Sequence, residues 1–247
     1  MQRPRLRDNK NEKPFELYSI GQFPTKLIVD ISRWIIYFYA IGTKDLTGED
    51  WGDIFAKSID GEHFGKPLGL ADVSYEGMAW SAKTVKCQTP FTSRSVRVIS
   101  GRCSPDYSFG ISNPHENIQK TGEAVLSIWN ERINIAKNRF EPLRTCVLIR
   151  NFSQLEFSLF ELETARYILD EYVWKINKRG NFEGFSLTDG THKFTWQPHG
   201  SQFTIIYQVP RHAIKFKIRR PPVMDIEYTM AQIGFNDDWV TLFQQPN

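Results

Sequence analysis

Residues 69–86 read GLADVSYEGMAWSAKTVK, and how this stretch folds decides the rest of the chain. Residues 70–75 and 78–85 both read as strands. Glu76 and Gly77 between them form a two-residue turn with a glycine free to take a positive φ. A hairpin centred on that turn sets Asp72 opposite Ser81, and the two-residue strand period brings Lys83 to the same face, diagonal to Asp72. The spacing thus predicts a carboxylate and an ammonium sharing one site. A slip of one residue would send Lys83 to the other side of the sheet, so the turn sets the chemistry. The plain alternative is a cross-strand ion pair at the surface. Against it, Leu70, Ala71, Val73, Ala79, Trp80, Ala82 and Val85 make the hairpin too apolar for an ordinary exposed edge.

Outward from the hairpin, 247 residues with 40% hydrophobic and 14% aromatic content describe a globular chain able to bury a full core, as one large domain or two small ones. A formal net charge of +3 permits a nucleic-acid partner without requiring one, so the placement of the basic residues matters more than their sum. Cys87, Cys103 and Cys146 stand far apart with no C-x-x-C spacing and no accompanying His pair. That excludes a disulfide scaffold or an evident zinc site and implies reduced thiols in a cytoplasmic protein. With no eighteen-residue apolar run and no leader-like start, the chain is expected to be soluble, not exported and without a membrane partner.

Residues 1–14 carry Arg3, Arg5, Arg7, Lys10 and Lys13 and read either as a solvated tail or as a basic arm along phosphates. Residues 26–41 predict a largely buried helix, with Leu27, Ile31, Trp34 or Ile35, and Phe38 at helical spacing and Gly42 ending it. A second helix starts near Thr47, with Trp51, Phe55 and Ile59 inward and Glu49, Asp50 and Asp53 in its early turns, an acidic start that usually serves the helix dipole. Residues 60–67 read as a loop carrying His63 on the surface. Residues 94–102 predict a third strand with basic ends, and 103–110 a turn-rich loop. Residues 115–138 form a long amphipathic helix with Ile118, Val125, Trp129 and Ile133 inward and Glu116, Lys120 and Glu123 along one outer face. From Arg144 the pattern turns to strands: 145–150 with 155–160, hairpins 172–177/182–186 and 192–196/201–207, and a basic strand at 215–220.

An acid near the end of one strand and a lysine within the next is the arrangement of the PD-(D/E)XK nucleases, and Asp72 with Ser81-Ala82-Lys83 resembles that superfamily. No Pro precedes Asp72, and Ser81 stands where the family usually has Glu. The pattern is similar to the Ser-x-Lys variant of some restriction endonucleases, which supply the second carboxylate from a helix elsewhere. The resemblance covers mainly residues 47–135. It implies an α+β fold, a central mixed sheet flanked by helices with β-hairpin additions in the C-terminal third. One nuclease domain would then comprise a basic arm (1–14), a catalytic core (26–160) and a β-rich DNA-recognition part (161–247).

The implied function is that of a type II restriction endonuclease, cleaving double-stranded DNA at specific sequences with Mg²⁺. A phosphodiester repels nucleophiles, so a divalent cation is needed to neutralise charge and acidify water, and Mg²⁺ takes one or two carboxylates while keeping several waters. By the resemblance, Asp72 would be a ligand, Lys83 would orient the attacking water and stabilise developing charge, and Ser81 would complete the motif. One of Glu49, Glu116 or Glu123 would supply the displaced carboxylate, with Glu49 the best match by position. Arg97 and Arg102 on the third strand face the phosphate side, while Lys178, Arg179, Asn181, Gln197, His199 and Gln202 at hairpin tips are candidates to read bases, since amides pair with adenine edges and Arg or Lys with guanine. Ordinary turn chemistry is the alternative for each of these. A palindromic duplex implies a homodimer, with the 26–40 helix a candidate for its interface. Two other readings stand beside this one: a PD-(D/E)XK nuclease of repair or recombination, and a non-catalytic nucleic-acid-binding module in which Asp72 and Lys83 merely pair.

Overall fold

The structure, a computed structural model, describes residues 15–68 and 70–243. Helix α1 (Thr25–Ala40) buries Leu27, Ile31 and Ile35, and Gly42, at φ 85°, follows its last turn. Only one face is covered, because Val29, Ile36 and Tyr37 are exposed, which corrects the expectation of a largely buried helix. Helix α2 (Gly48–Ser58) begins at a capping box: the Thr47 side chain accepts from Asp50 N, and the Asp50 carboxylate accepts from Thr47 N. Its Trp51, Ile54 and Phe55 join α1 in one core.

Strands β1 (Glu62–Leu68), β2 (Ala71–Tyr75) and β3 (Met78–Lys86) follow as an antiparallel meander. The β2–β3 turn falls where the sequence places it. Glu76 and Gly77 have φ 44° and 85°, the two positive values a tight hairpin turn needs, and Tyr75 pairs with Met78 and Val73 with Trp80. β1 replaces the loop expected over 60–67. Glu62 pairs with Ser74 and His63 with Val73, and the register shifts between His63 and Leu68, so cross-strand pairing overrides the local glycine and proline content.

Next come β4 (Ser95–Arg102), the short helix α3 (Pro105–Phe109), and α4 (Ile118–Lys137). α3 takes the place of a turn-rich loop, since Ser104 caps it, Pro105 opens it and Gly110 closes it at φ 68°. The long helix begins later than expected, with Asn117 as its cap, so Glu116 precedes it. β5 (Leu143–Asn151) then lies parallel to β3, with Ala79 opposite Leu143 and Lys86 opposite Arg150. β6 (Glu156–Glu163) pairs with β5, and β7 (Tyr172–Ile176), β8 (Phe182–Ser186), β9 (His192–Gln197) and β10 (Gln202–Gln208) complete the strand pairs expected there. β11 (Ile214–Lys217), helix α5 (Ile226–Gln232) and a 3₁₀ turn (Asp237–Trp239) end the described elements.

The chain is therefore α+β, with a mixed six-stranded sheet in the order β1-β2-β3-β5-β6-β11 and an antiparallel five-stranded sheet in the order β4-β10-β9-β8-β7. The two sheets are not sequential units: β4 leaves the N-terminal part for the second sheet, and β11 returns from the C-terminal part to edge the first. α1 and α2 cover one face of the first sheet over Val73, Trp80, Cys146 and Phe157. On the other face, Ala79 and Leu143 meet α4 through Val125, Trp129 and Ile133, and beyond α4 lie Trp174, Phe182, Phe194 and Phe203 of the second sheet. Further along, Val147, Ile149 and Phe160 touch Val96 and Val98 of β4 directly. One charged group sits inside this packing. Glu161 accepts from Arg144 Nη1 (2.9 Å), Trp80 Nε1 (3.2 Å), Gly21 N (2.9 Å) and Tyr18 OH (3.3 Å), tying the segment before α1 to the sheet. Burial pushes its carboxyl up, and these donors oppose the shift. No helix among the described residues is long and apolar enough to cross a membrane.

Candidate functional site

Asp72, Ser81 and Lys83 meet on the face of the first sheet that looks toward β4. Lys83 Nζ donates to Asp72 Oδ2 at 2.7 Å and Ser81 Oγ donates to the same oxygen at 3.3 Å. Asp72 Oδ1 has no hydrogen-bond partner among the described residues. Ser81 is buried and the two charged side chains are mostly so, which is tolerable because the charges are paired. Asp72 and Lys83 line a cleft of about 470 Å³ together with Glu49, His63, Thr84, Arg97 and Arg150. A carboxylate there can hold a hard cation, and the ammonium beside it can donate to an anionic oxygen brought alongside.

The opposite wall comes from the start of α2 and from β1. His63 Nδ1 is 2.7 Å from Asp53 Oδ1, and its Nε2 is 3.6 Å from Glu49 Oε2. Glu49 and Asp53 are one helical turn apart and so face β1 together. Between them Gly52 leaves room for the ring, because a Cβ there would strike the imidazole. His63 is thus not a surface loop residue. Its side chain is only 14% exposed, because strand pairing turns it inward against α2. The one sequence signal for it is a glycine flanked by acids at helical spacing, a vacancy of the right size and charge for an imidazole.

At the far end of the cleft Arg150 Nε donates to Asp45 Oδ1 (2.8 Å) and its Nη1 to Thr84 Oγ1 (2.9 Å), while Lys86 Nζ reaches Asp45 Oδ2 at 3.1 Å. Burial works to raise the Asp45 carboxyl, but hydrogen bonds from Arg150 and Lys86 outweigh it and hold the group below its ordinary value.

Of the three carboxylates expected to complete the site, only Glu49 lines the cleft. Glu116 lies before α4 beside a separate hollow with Lys120, and Glu123 accepts from Gln119 Nε2, whose own Oε1 accepts from Trp174 N, so these contacts tie α4 to β7. The reason is tertiary: α4 packs between the two sheets, over Ala79 and Leu143 on one side, and the Gln119 and Glu123 pair is turned to β7 on the other. Among the basic and amide candidates, Arg97 belongs to the cleft and also to a second concavity of about 520 Å³ lined by Lys178, Arg179, Asn181 and Gln197. Its Nη2 donates to Thr195 Oγ1 at 2.6 Å. Arg102 and Gln202 pair across β4 and β10, and Gln202 also faces Gln197, at the end of the second sheet. His199 sits exposed in the β9–β10 turn. These last three do not line the concavity. The basic segment 1–14 lies outside the described residues.

Among the described residues no group of three or more His, Cys, Asp or Glu side chains stands together as a metal site. The cleft offers two carboxylates, Asp72 and Glu49, a donor set that fits a hard dication keeping most of its waters. No family model, no curated protein and no solved structure matches the chain.

Proposed function

We propose that the chain is a PD-(D/E)XK-type endonuclease that cuts double-stranded DNA with Mg²⁺ in the manner of a type II restriction endonuclease, acting in the cytoplasm, where free thiols such as its three cysteines stay reduced. The observation that carries this reading is the convergence of Asp72, Ser81 and Lys83 on one wall of a cleft whose other wall bears Glu49. A mixed sheet that holds the hairpin between helices supports the same reading.

Asp72, through the oxygen that Lys83 and Ser81 do not hold, and Glu49 would bind Mg²⁺, which supplies charge neutralisation at the phosphate and a more acidic bound water. Lys83 has three ammonium protons and gives one to Asp72, so two remain to orient an attacking water and to donate to a phosphoryl oxygen as its charge grows. Ser81 buttresses the Asp72 oxygen that Lys83 also holds. Arg97 stands where the cleft and the second concavity join, a position from which one guanidinium can take a backbone phosphate between the two. Beyond it, Asn181 and Gln197 offer amides for adenine edges and Lys178 and Arg179 offer donors for guanine.

The 2.7 Å bond between Lys83 and Asp72 also favours a second reading, a nucleic-acid-binding module in which the two simply neutralise each other. Incubation of plasmid and phage DNA with the protein and Mg²⁺ separates the readings. Discrete bands support the restriction endonuclease, and a smear supports a PD-(D/E)XK nuclease of repair or recombination. DNA binding without cleavage supports the module. Neither binding nor cleavage overturns all three.

A further inference from the structure

After Ile218, which still joins the first core, the chain leaves most of its apolar side chains exposed. Val223, Ile226, Tyr228, Trp239, Leu242 and Phe243 are all exposed, the last two at 85% and 90%. The same stretch, 221–243, carries Asp225, Glu227, Asp237 and Asp238 and not one Lys, Arg or His. Phosphates repel such an acidic segment, so DNA is not what covers it; its partner is a protein surface that is apolar and basic.

The chain presents a surface of that kind. Lys26, Val29, Arg33, Ile36 and Tyr37 recur at three- and four-residue spacing along α1, on the side opposite the buried Leu27, Ile31 and Ile35, and all five are exposed. Lys26 and Arg33 share a single carboxylate, Asp30, which leaves the stripe net positive. The arm starts beside this helix, where Met224 N donates to Ala40 O at 2.7 Å, yet among the described residues both surfaces stay uncovered.

We infer that the arm of each chain docks on the α1 stripe of a second copy while its own stripe receives that copy's arm, a two-fold exchange that leaves neither half open. With about 150–250 Å² for each buried aromatic, the exposed apolar side chains of the arm offer on the order of 1,000 Å², enough for the roughly 800 Å² per partner of a standard interface. The acids of the arm face the basic stripe. The docking does not rest on the nuclease reading, and its test reads mass instead of cleavage.

The test is sedimentation equilibrium of the full chain at micromolar concentration, beside a Leu242→Asp/Phe243→Asp variant and a Val29→Glu variant. These positions face solvent in one copy, so circular dichroism matching the parent confirms that each variant folds. The expected parent mass is twice the 28.8 kDa of the chain, with association weakened about tenfold or more in both variants. A monomeric parent overturns the inference. So does either variant associating as tightly as the parent, because that would leave the arm or the stripe outside the interface.

Discussion

His63 holds its imidazole between two carboxylates of one helix, Nδ1 at 2.7 Å from Asp53 and Nε2 turned to Glu49 at 3.6 Å. Asp53 fixes the ring, and the ring's other nitrogen lies beside Glu49, the carboxylate of α2 that lines the cleft. On the proposed reading His63 is a positioning residue, and groups of this kind typically matter about 10–100-fold in metal affinity or activity. His63→Ala should therefore raise the Mg²⁺ concentration needed for half-maximal cleavage by about that factor, while His63→Asn, which can still meet Asp53, should lose less. An unchanged Mg²⁺ titration for His63→Ala would detach Glu49 from the metal.

Asp72→Asn and Lys83→Ala should each lower cleavage on the order of 10²-fold or more while gel-shift affinity for the same DNA is kept, since affinity comes from phosphate and base contacts beyond the pair. Parental turnover in either variant would remove the pair from catalysis and leave it as an ion pair.

Arg97→Ala should weaken binding to every sequence alike and lower the salt dependence of the affinity by about one phosphate contact. Asn181→Ala or Gln197→Ala should instead relax discrimination at particular base pairs, by about 1–3 kcal/mol each. Competition binding across a set of duplexes at several salt concentrations tells the two outcomes apart. Altered discrimination with Arg97→Ala alone would mean that the arginine reads a base.

Asp45 has a folded-state carboxyl held below its ordinary value, so the unfolded chain binds the proton more readily. The stability it contributes is present above the unfolded carboxylate value, near pH 4, and is lost as pH falls through its own lower value. Asp45→Asn should flatten the fall in Tm below about pH 4. An acid limb as steep in the variant as in the parent would show that the Arg150 and Lys86 contacts do not set the protonation of this group.

The hairpin was legible because its determinants are local: Glu76 and Gly77 set the turn, and the turn sets which face Asp72, Ser81 and Lys83 share. The α2 start was legible for the same reason, since Thr47 and Asp50 cap each other within four residues. What depended on partners far along the chain was not. β1 exists because β2 pairs with it, against a glycine and a proline that read as a loop. With β1 went His63, whose place is defined by Gly52 and two acids on another element. Glu49, Glu116 and Glu123 could not be told apart by periodicity, because the stripe Val125, Trp129 and Ile133 says that α4 is buried and not which of its other side chains end beside the cleft.

The parallel alignment of β3 with β5 has a consequence for how the protein is made. A strand beside its parallel neighbour cannot be reached by a tight turn, and here β4, α3 and α4 must all be synthesised before β5 emerges to complete the strand that carries Ser81 and Lys83. On a ribosome adding about 5–20 residues per second, the nascent chain spends several seconds with that edge of β3 unpaired. Such distant pairing is also slow to form. A protein proposed to cut DNA is thereby kept from completing its cleft until β5 has been made, since Arg150, which closes one end of it, arrives with the last residues of that strand.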